Sequence, residues 1–164
     1  MTDKAPPANS NMAGIGTSEH VAASMSTVQM RARASTRRVT RVQVVSDELS
    51  VDPTIDITTT GRRSGRPRRI EIWMLDVDGR YFITGTPGPR DWLANLQTDP
   101  TLVVHLKQRA KVDLRARATP VDDETTRRRV IEHLTARWYR SQVPVDELIA
   151  DAPMVEVQFE TIGD

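Results

Sequence analysis

From Ile55 onward the chain carries several runs in which apolar and polar residues alternate. Ile55 and Ile57 lead into Thr58, Thr59 and Thr60, and Ile70, Ile72 and Met74 alternate with Glu71, Trp73 and Leu75. Val112, Leu114, Ala116 and Ala118 alternate cleanly with Lys111, Asp113, Arg115 and Arg117. A period of two sends successive side chains to opposite faces of an extended chain, so each run predicts a strand. The cleanest of them predicts a half-exposed antiparallel one. Asp78-Gly79 marks a tight hairpin turn into Tyr81, Phe82, Ile83 and Thr84. TLVVHLK (101–107) puts Leu102, Val104 and Leu106 on one face, and MVEVQFE (154–160) reads as a last strand.

Helical signals are fewer. Asp91 can cap a short helix, DWLANLQ, that stops near Asp99-Pro100. Asp122, Asp123 and Glu124 suit the positive end of a second helix dipole. Beyond them Val130, Ile131, Leu134 and Trp138 recur at helical spacing and are expected to face the core, and VDELIA after Pro144 predicts a third helix. Three strands, a helix, two strands, a helix and a strand fit a small barrel better than a parallel α/β sheet. The expected class is mainly β: about six antiparallel strands with two to three peripheral helices.

Residues 1–48 read differently. Rich in Ala, Pro, Ser, Asn and Thr, their opening stretch has no sustained apolar period and would not offset its ordering entropy by burial. Arg31, Arg33, Arg37, Arg38 and Arg41 form a basic cluster there. A flexible tail is the expectation, with the folded domain over 49–164; a short covering helix in the tail's second half and an Arg- and Ser-rich targeting segment are the alternatives.

Composition narrows the function. The formal net charge of the 164 residues is +1, so positive charge is clustered rather than general, and no nucleic-acid coat is expected. No zinc-finger spacing or helix-turn-helix pair is evident, and aromatics make up only 4% of residues, few for stacking bases. Cysteine is absent, which excludes disulfides and thiolate chemistry. No integral membrane segment is expected, since no stretch approaches the roughly 18 apolar residues of a span.

Two segments carry candidate chemistry. GRRSGRPRR (61–69) joins the first two strands and holds five arginines and no acid. Guanidinium forks match phosphate and carboxylate oxygens, so anion binding, a merely solvated hairpin and nucleic-acid contact are its three readings. TPGPRDWLANL (86–96) is the second: Thr86-Pro87-Gly88-Pro89 is rigid and small enough for a flat ring to approach, and Arg90 with the helix start adds donors. Trp92 and Leu96 read as core, and Asn95 as an amide that ties down a loop or a ligand edge. His20, His105 and His133 have no metal-ligand spacing, so no metal is expected. Ser64, between Arg63 and Gly65, suits a phosphate contact better than an acyl nucleophile. No nucleophile, base and orienter pattern is visible, which points to a cofactor as the reactive group and assigns no catalytic side chain.

These motifs have a family likeness. T-x-G-R-x-[ST]-G-x-P-R, from Thr58 through Arg68, and W-x-x-N-L-x-x-x-P, from Trp92 through Asn95 and Leu96 to Pro100, together resemble the deazaflavin-dependent nitroreductase and quinone reductase family. The likeness covers roughly residues 53–160. It implies a split β-barrel related to flavin-binding oxidases, and coenzyme F-420, a deazaflavin with a phosphate and an acidic tail. It also implies hydride transfer to a quinone, nitro compound or activated alkene. Carried over by position, Arg62, Ser64, Arg66 and Arg68 would hold the phosphate and tail. Pro87, Gly88 and Arg90 would border the ring, Trp92 and Asn95 would buttress it, and Trp73, Trp138 and Tyr139 would line the substrate side. A cytoplasmic protein is expected, with association to a membrane surface left open, and the likeness further implies a homodimer as small split barrels form. FMN or haem in the same barrel, or a non-catalytic cofactor-binding module, are the rival readings.

Overall fold

The computed structural model describes residues 40–161. The chain starts with α1 (Arg41–Val51), then β1 (Thr54–Thr60), β2 (Pro67–Val77) and β3 (Arg80–Thr84). Next come α2 (Asp91–Thr98), β4 (Thr101–Leu106), β5 (Val112–Pro120) and α3 (Glu124–Glu132). A 3-10 turn (Leu134–Ala136), α4 (Arg137–Gln142), α5 (Val145–Asp151) and β6 (Met154–Phe159) complete it. The six strands close into an antiparallel barrel in the order β1-β2-β3-β6-β5-β4. Barrel and strand count match the sequence expectation; the described residues form five α-helices instead of two or three.

Alternation in sequence becomes two cores. Ile55, Ile57, Ile72, Met74, Ile83, Val104, Leu114 and Val155 fill the barrel, and Val45, Leu49, Trp92 and Leu96 pack onto the same cluster from α1 and α2. The opposite face of β2 and β3 supplies Trp73, Leu75, Val77 and Phe82 to a second cluster with Val130, Ile131, Tyr139, Leu148 and Ile149. β2 is therefore buried on both faces over Trp73–Leu75, and the helices of the C-terminal half cover the barrel's outside there.

Three expectations change. Residues 41–48, grouped with the tail, belong to α1, so the boundary at 48 falls within a helix; residues 1–39 lie outside those described. Buried Glu48 explains why the helix was hard to read: its carboxylate accepts from the backbone N–H groups of Gln108 (2.6 Å), Arg109 (2.9 Å) and Ala110 (3.0 Å), locking the β4–β5 loop to α1. Second, Asp91 does not cap α2; Arg90 is the cap residue, its side chain making no capping bond to the helix, and Asp91 is the first helical residue. Third, the helix expected through Leu134 and Trp138 breaks at His133, which is extended (φ −66°, ψ 151°) and accepts from the Thr135 N–H, leaving Leu134 81% exposed. Asp123, the residue after Asp122, is the actual cap of α3, its carboxylate accepting from Thr126 N–H at 2.8 Å.

Arg127 of α3 is buried and donates to four carbonyls: Val121 (2.9 Å), Leu148 (3.4 Å), Ile149 (2.5 Å) and Ala152 (2.6 Å). It satisfies the carbonyl end of α5. Arg128 and Arg129 do stay on the surface, paired with Glu124 and Asp78.

Candidate functional site

The β1–β2 connection is a closed, self-bonded loop. Gly61 N–H donates to Arg66 O (2.8 Å), Gly65 N–H to Gly61 O (2.8 Å), and Arg66 N–H to Ser64 Oγ (3.2 Å). Gly61 is required by space: a Cβ there would lie 2.7 Å from Ser64 Oγ and 3.2 Å from Arg66 O. Between this loop and α2 runs an open cleft of about 420 Å³, with Gly61, Arg62, Arg63, Ser64, Arg68, Asp91, Trp92 and Asn95 in its lining.

Asn95 is the buckle. Only 4% exposed, its Oδ1 accepts from Arg62 N–H (3.1 Å) and Arg62 Nη1 (3.2 Å), while Nδ2 donates to the buried Thr59 Oγ1 (3.1 Å). The loop-tying reading of this amide holds. Arg62 also pairs with Asp91 at 3.2 Å, so its charge is already answered within the protein. Arg69 is likewise engaged, at 2.9 Å from Asp56 on the barrel's outer face. Lys107 joins that pair at 2.7 Å from Asp56 and also contacts Glu71. Burial alone would raise the Asp56 carboxyl, but hydrogen bonds from Lys107 and Arg69 outweigh it and hold it below its ordinary range.

The five arginines thus separate. Arg63, Arg66 and Arg68 have no side-chain hydrogen bond or ion pair with any described residue. Arg63 and Arg68 line the cleft, whereas Arg66 lies outside its lining. Arg63 was the missed residue. It sat in the same basic string, but only the spatial partners of Arg62 and Arg69 show that it is one of the free guanidiniums.

The Thr86–Arg90 turn lies at the stem of the same helix. Arg90 folds back on it, Nη2 donating to Thr86 O and Oγ1 (both 2.9 Å) and Nη1 to Pro89 O (3.1 Å), while Gly88 takes φ +134°. A Cβ on Gly88 would be strained and would meet Arg90 Nη1 at 3.1 Å. Pro87, Gly88 and Arg90 do not line the arginine cleft; Trp92 and Asn95, one turn on, do. Trp92 is also 3% exposed and part of the barrel core, as expected.

Trp73, Trp138 and Tyr139 come together with each other, edge to face at centroid distances of 6.0, 6.3 and 5.3 Å. They occupy the second core cluster rather than the cleft. Tyr139 donates to Thr84 O (3.3 Å), the last residue of β3 before the Pro-Gly turn, and Trp73 Nε1 is buried without a partner. The turn therefore spans from the aromatic cluster at one end to the arginine cleft at the other.

Comparison with known proteins decides the family. The family of F420H(2)-dependent quinone reductases matches residues 29–150, about three quarters of the chain. The chain belongs to that family. As a member of this reductase family it is an oxidoreductase, and the cofactor of the family is coenzyme F-420. Solved structures show the fold alone. One is a conserved hypothetical protein, Rv2991, of Mycobacterium tuberculosis (18% identity, 72% of this chain and 79% of that one, TM-score 0.56). Another is a protein of the pyridoxinephosphate oxidase family, related to general stress protein 26, from Clostridium acetobutylicum (13%, 73% and 83%, 0.55). A putative 5-nitroimidazole antibiotic resistance protein of Bacteroides thetaiotaomicron matches similarly (10%, 73% and 80%, 0.57). This reductase thus shares the split barrel of the pyridoxine phosphate oxidase group. No helix among the described residues is long and apolar enough to cross a membrane.

Proposed function

We propose that this chain reduces a quinone with reduced F-420, using the arginine cleft to grip the cofactor's phosphate and acidic tail. The observation that carries this reading is the pair of unanswered guanidiniums, Arg63 and Arg68, in one cleft beside a loop already fixed by Asn95. Free guanidiniums around a crowded glycine suit a phosphate with carboxylates, so the residues present fit the group. Arg66, where the loop closes onto β2, is exposed and adds to the same positive charge.

The bound deazaflavin would supply the hydride. The chain's own part is to bind, orient and keep charge in place. Arg63 and Arg68 would hold the anionic end, and Ser64 Oγ, already an acceptor from Arg66 N–H, would bring its hydroxyl proton to the same anion. Pro87 and Gly88, braced by Arg90, would border the ring. Trp138, the half-buried member of the aromatic cluster at the other end of that turn, would form the wall against which a flat acceptor packs, with buried Trp73 and Tyr139 backing it. No side chain is assigned a covalent role; positioning and an electropositive surround for developing negative charge do the protein's share.

A fluorescence titration with F-420, followed by turnover of the reduced cofactor with menadione, tests this. Saturable binding with quinone-dependent oxidation is the expected result. Binding without turnover by quinones, nitroaromatics or activated alkenes would overturn the reductase reading in favour of a cofactor carrier.

A further inference from the structure

A second group of side chains lies on the barrel's outer face, away from the arginine cleft. Thr58 Oγ1 stands 2.7 Å from His105 Nε2, and His105 Nδ1 stands 2.7 Å from Asp113 Oδ1. Three strands supply them: β1, β4 and β5. His105 is 7% exposed, whereas the Asp113 side chain is 69% exposed. With Asp113 ionised, Nδ1 carries the imidazole proton and donates it to the carboxylate, which leaves Nε2 to accept from the Thr58 hydroxyl. That is a nucleophile, a base and an orienting carboxylate in linear order.

Thr58 also opens on a space. It lines a cleft of about 350 Å³ on the other side of the basic loop, together with Gly65, Pro67, Val103, Arg115 and one carboxylate, Glu160. Arg115 sits in the same cross-strand row as Thr58, since Thr58 pairs with Val103 and Val103 with Arg115. Its side chain has no partner among the described residues. The ladder hydrogen bonds already join β1, β4 and β5, so these side-chain contacts are not needed to pair the strands.

We propose that Thr58, His105 and Asp113 form an acyl-transfer site for small activated esters, with Arg115 as the cation facing the oxyanion. In the first step the Thr58 Oγ–acyl bond forms, the ester C–O bond breaks, and the Thr58 proton passes through His105 Nε2 to the departing alkoxide. In the second, water attacks the acyl-threonine, gives its proton to His105 Nε2, and Thr58 leaves with that proton, releasing a carboxylic acid. No redox partner is involved, so the site is independent of F-420. Charged groups facing His105 are Asp113 on β5 and Asp56, its direct partner on β1, itself held by Arg69 and Lys107.

Labelling with p-nitrophenyl acetate and with a fluorophosphonate, read by intact mass and peptide mapping, tests the site. An adduct on Thr58 is expected, retained in T58S and lost in T58V, which keeps the side chain's shape. H105Q should slow labelling by about 10²-fold, the lower range for loss of a general base. Thermal melting and F-420 titration of each variant confirm that the fold and the first cleft are intact. An unlabelled wild type, or T58V labelled at the wild-type rate through a lysine or another hydroxyl, overturns the proposal. The F-420 titration is a separate readout, so its outcome does not depend on the esterase result.

Discussion

The sharpest consequence of the site's geometry is that adjacent arginines, Arg62 and Arg63, should behave differently. Arg63 and Arg68 present unpaired guanidiniums to the cleft, whereas Arg62 is committed to Asp91 and Asn95. A charge-assisted hydrogen bond is worth about 1.5–3 kcal/mol when its partner is bound. Both residues are exposed, which favours the lower end, so Arg63→Ala or Arg68→Ala should each weaken F-420 binding by roughly 10-fold at about 1.4 kcal/mol per decade. Arg62→Ala removes an ion pair whose Asp91 side chain is 88% exposed, a contact worth about 0–1 kcal/mol of stability. Its effect on affinity should be smaller than that of either neighbour. Asp91→Asn supplies the converse: it removes the one carboxylate in the cleft lining and releases Arg62, so affinity should rise by a few-fold, about 1 kcal/mol at most. The assay is deazaflavin fluorescence titration of all four variants at low and high salt, with the differences shrinking as salt screens exposed charge. Unchanged affinity in Arg63→Ala and Arg68→Ala, or tighter binding in neither buffer for Asp91→Asn, would refute the assignment of this cleft to the anionic end.

Asn95→Ala should lower stability by about 2–3 kcal/mol in urea unfolding, because it leaves Thr59 Oγ1 and the Arg62 N–H unpartnered near the core; a change below about 0.5 kcal/mol would show the loop does not depend on this amide. Glu48→Ala should cost about 2–4 kcal/mol, since three backbone N–H groups lose a charged acceptor; hydrogen exchange should show the β4–β5 loop opening first, and an unchanged exchange rate there would contradict it. Asp56 has a folded pKa held below its ordinary 3.8, so its contribution is complete above that value and is lost as pH falls through the lower folded value. The stability gap between wild type and Asp56→Asn should therefore narrow on acidification, and a gap constant from neutral to strongly acid solution would count against the Lys107–Asp56–Arg69 network.

The barrel was legible because strand alternation is local: in β5, Leu114, Ala116 and Ala118 are buried while Asp113, Arg115 and Arg117 between them are exposed. α1 was not, since its inward residues are Val45, Glu48 and Leu49, and a buried carboxylate breaks any apolar stripe. What makes Glu48 an inward residue is a set of N–H groups some sixty residues away, which no window over the helix contains. Leu134 failed for a related reason. Its spacing from Val130 is helical, but His133 can cap the following turn with its own ring, and the local side-chain bond ended the helix. Nothing in the run of Arg127, Arg128 and Arg129 sets the first apart, because three of the carbonyls that bury it lie at the C-terminal end of α5, some twenty residues on.

The candidate site shows the same division on a smaller scale. Composition located the basic loop but could not sort its arginines, because sorting depends on Asp56 beside Arg69 and Asp91 beside Arg62. The sequence solves a specific problem here: a loop dense in guanidiniums repels itself and must still be held rigid. A carboxylate at position 95 could hold it, but only by cancelling charge the ligand needs. Asn95 anchors the loop through a neutral amide, accepting from Arg62 and donating to Thr59, and leaves the cleft with three guanidiniums against one carboxylate. Rigidity and positive potential are thereby supplied by different residues, so each can be removed without the other: an Asn95 variant should lose order before charge, an Arg68 variant charge without order.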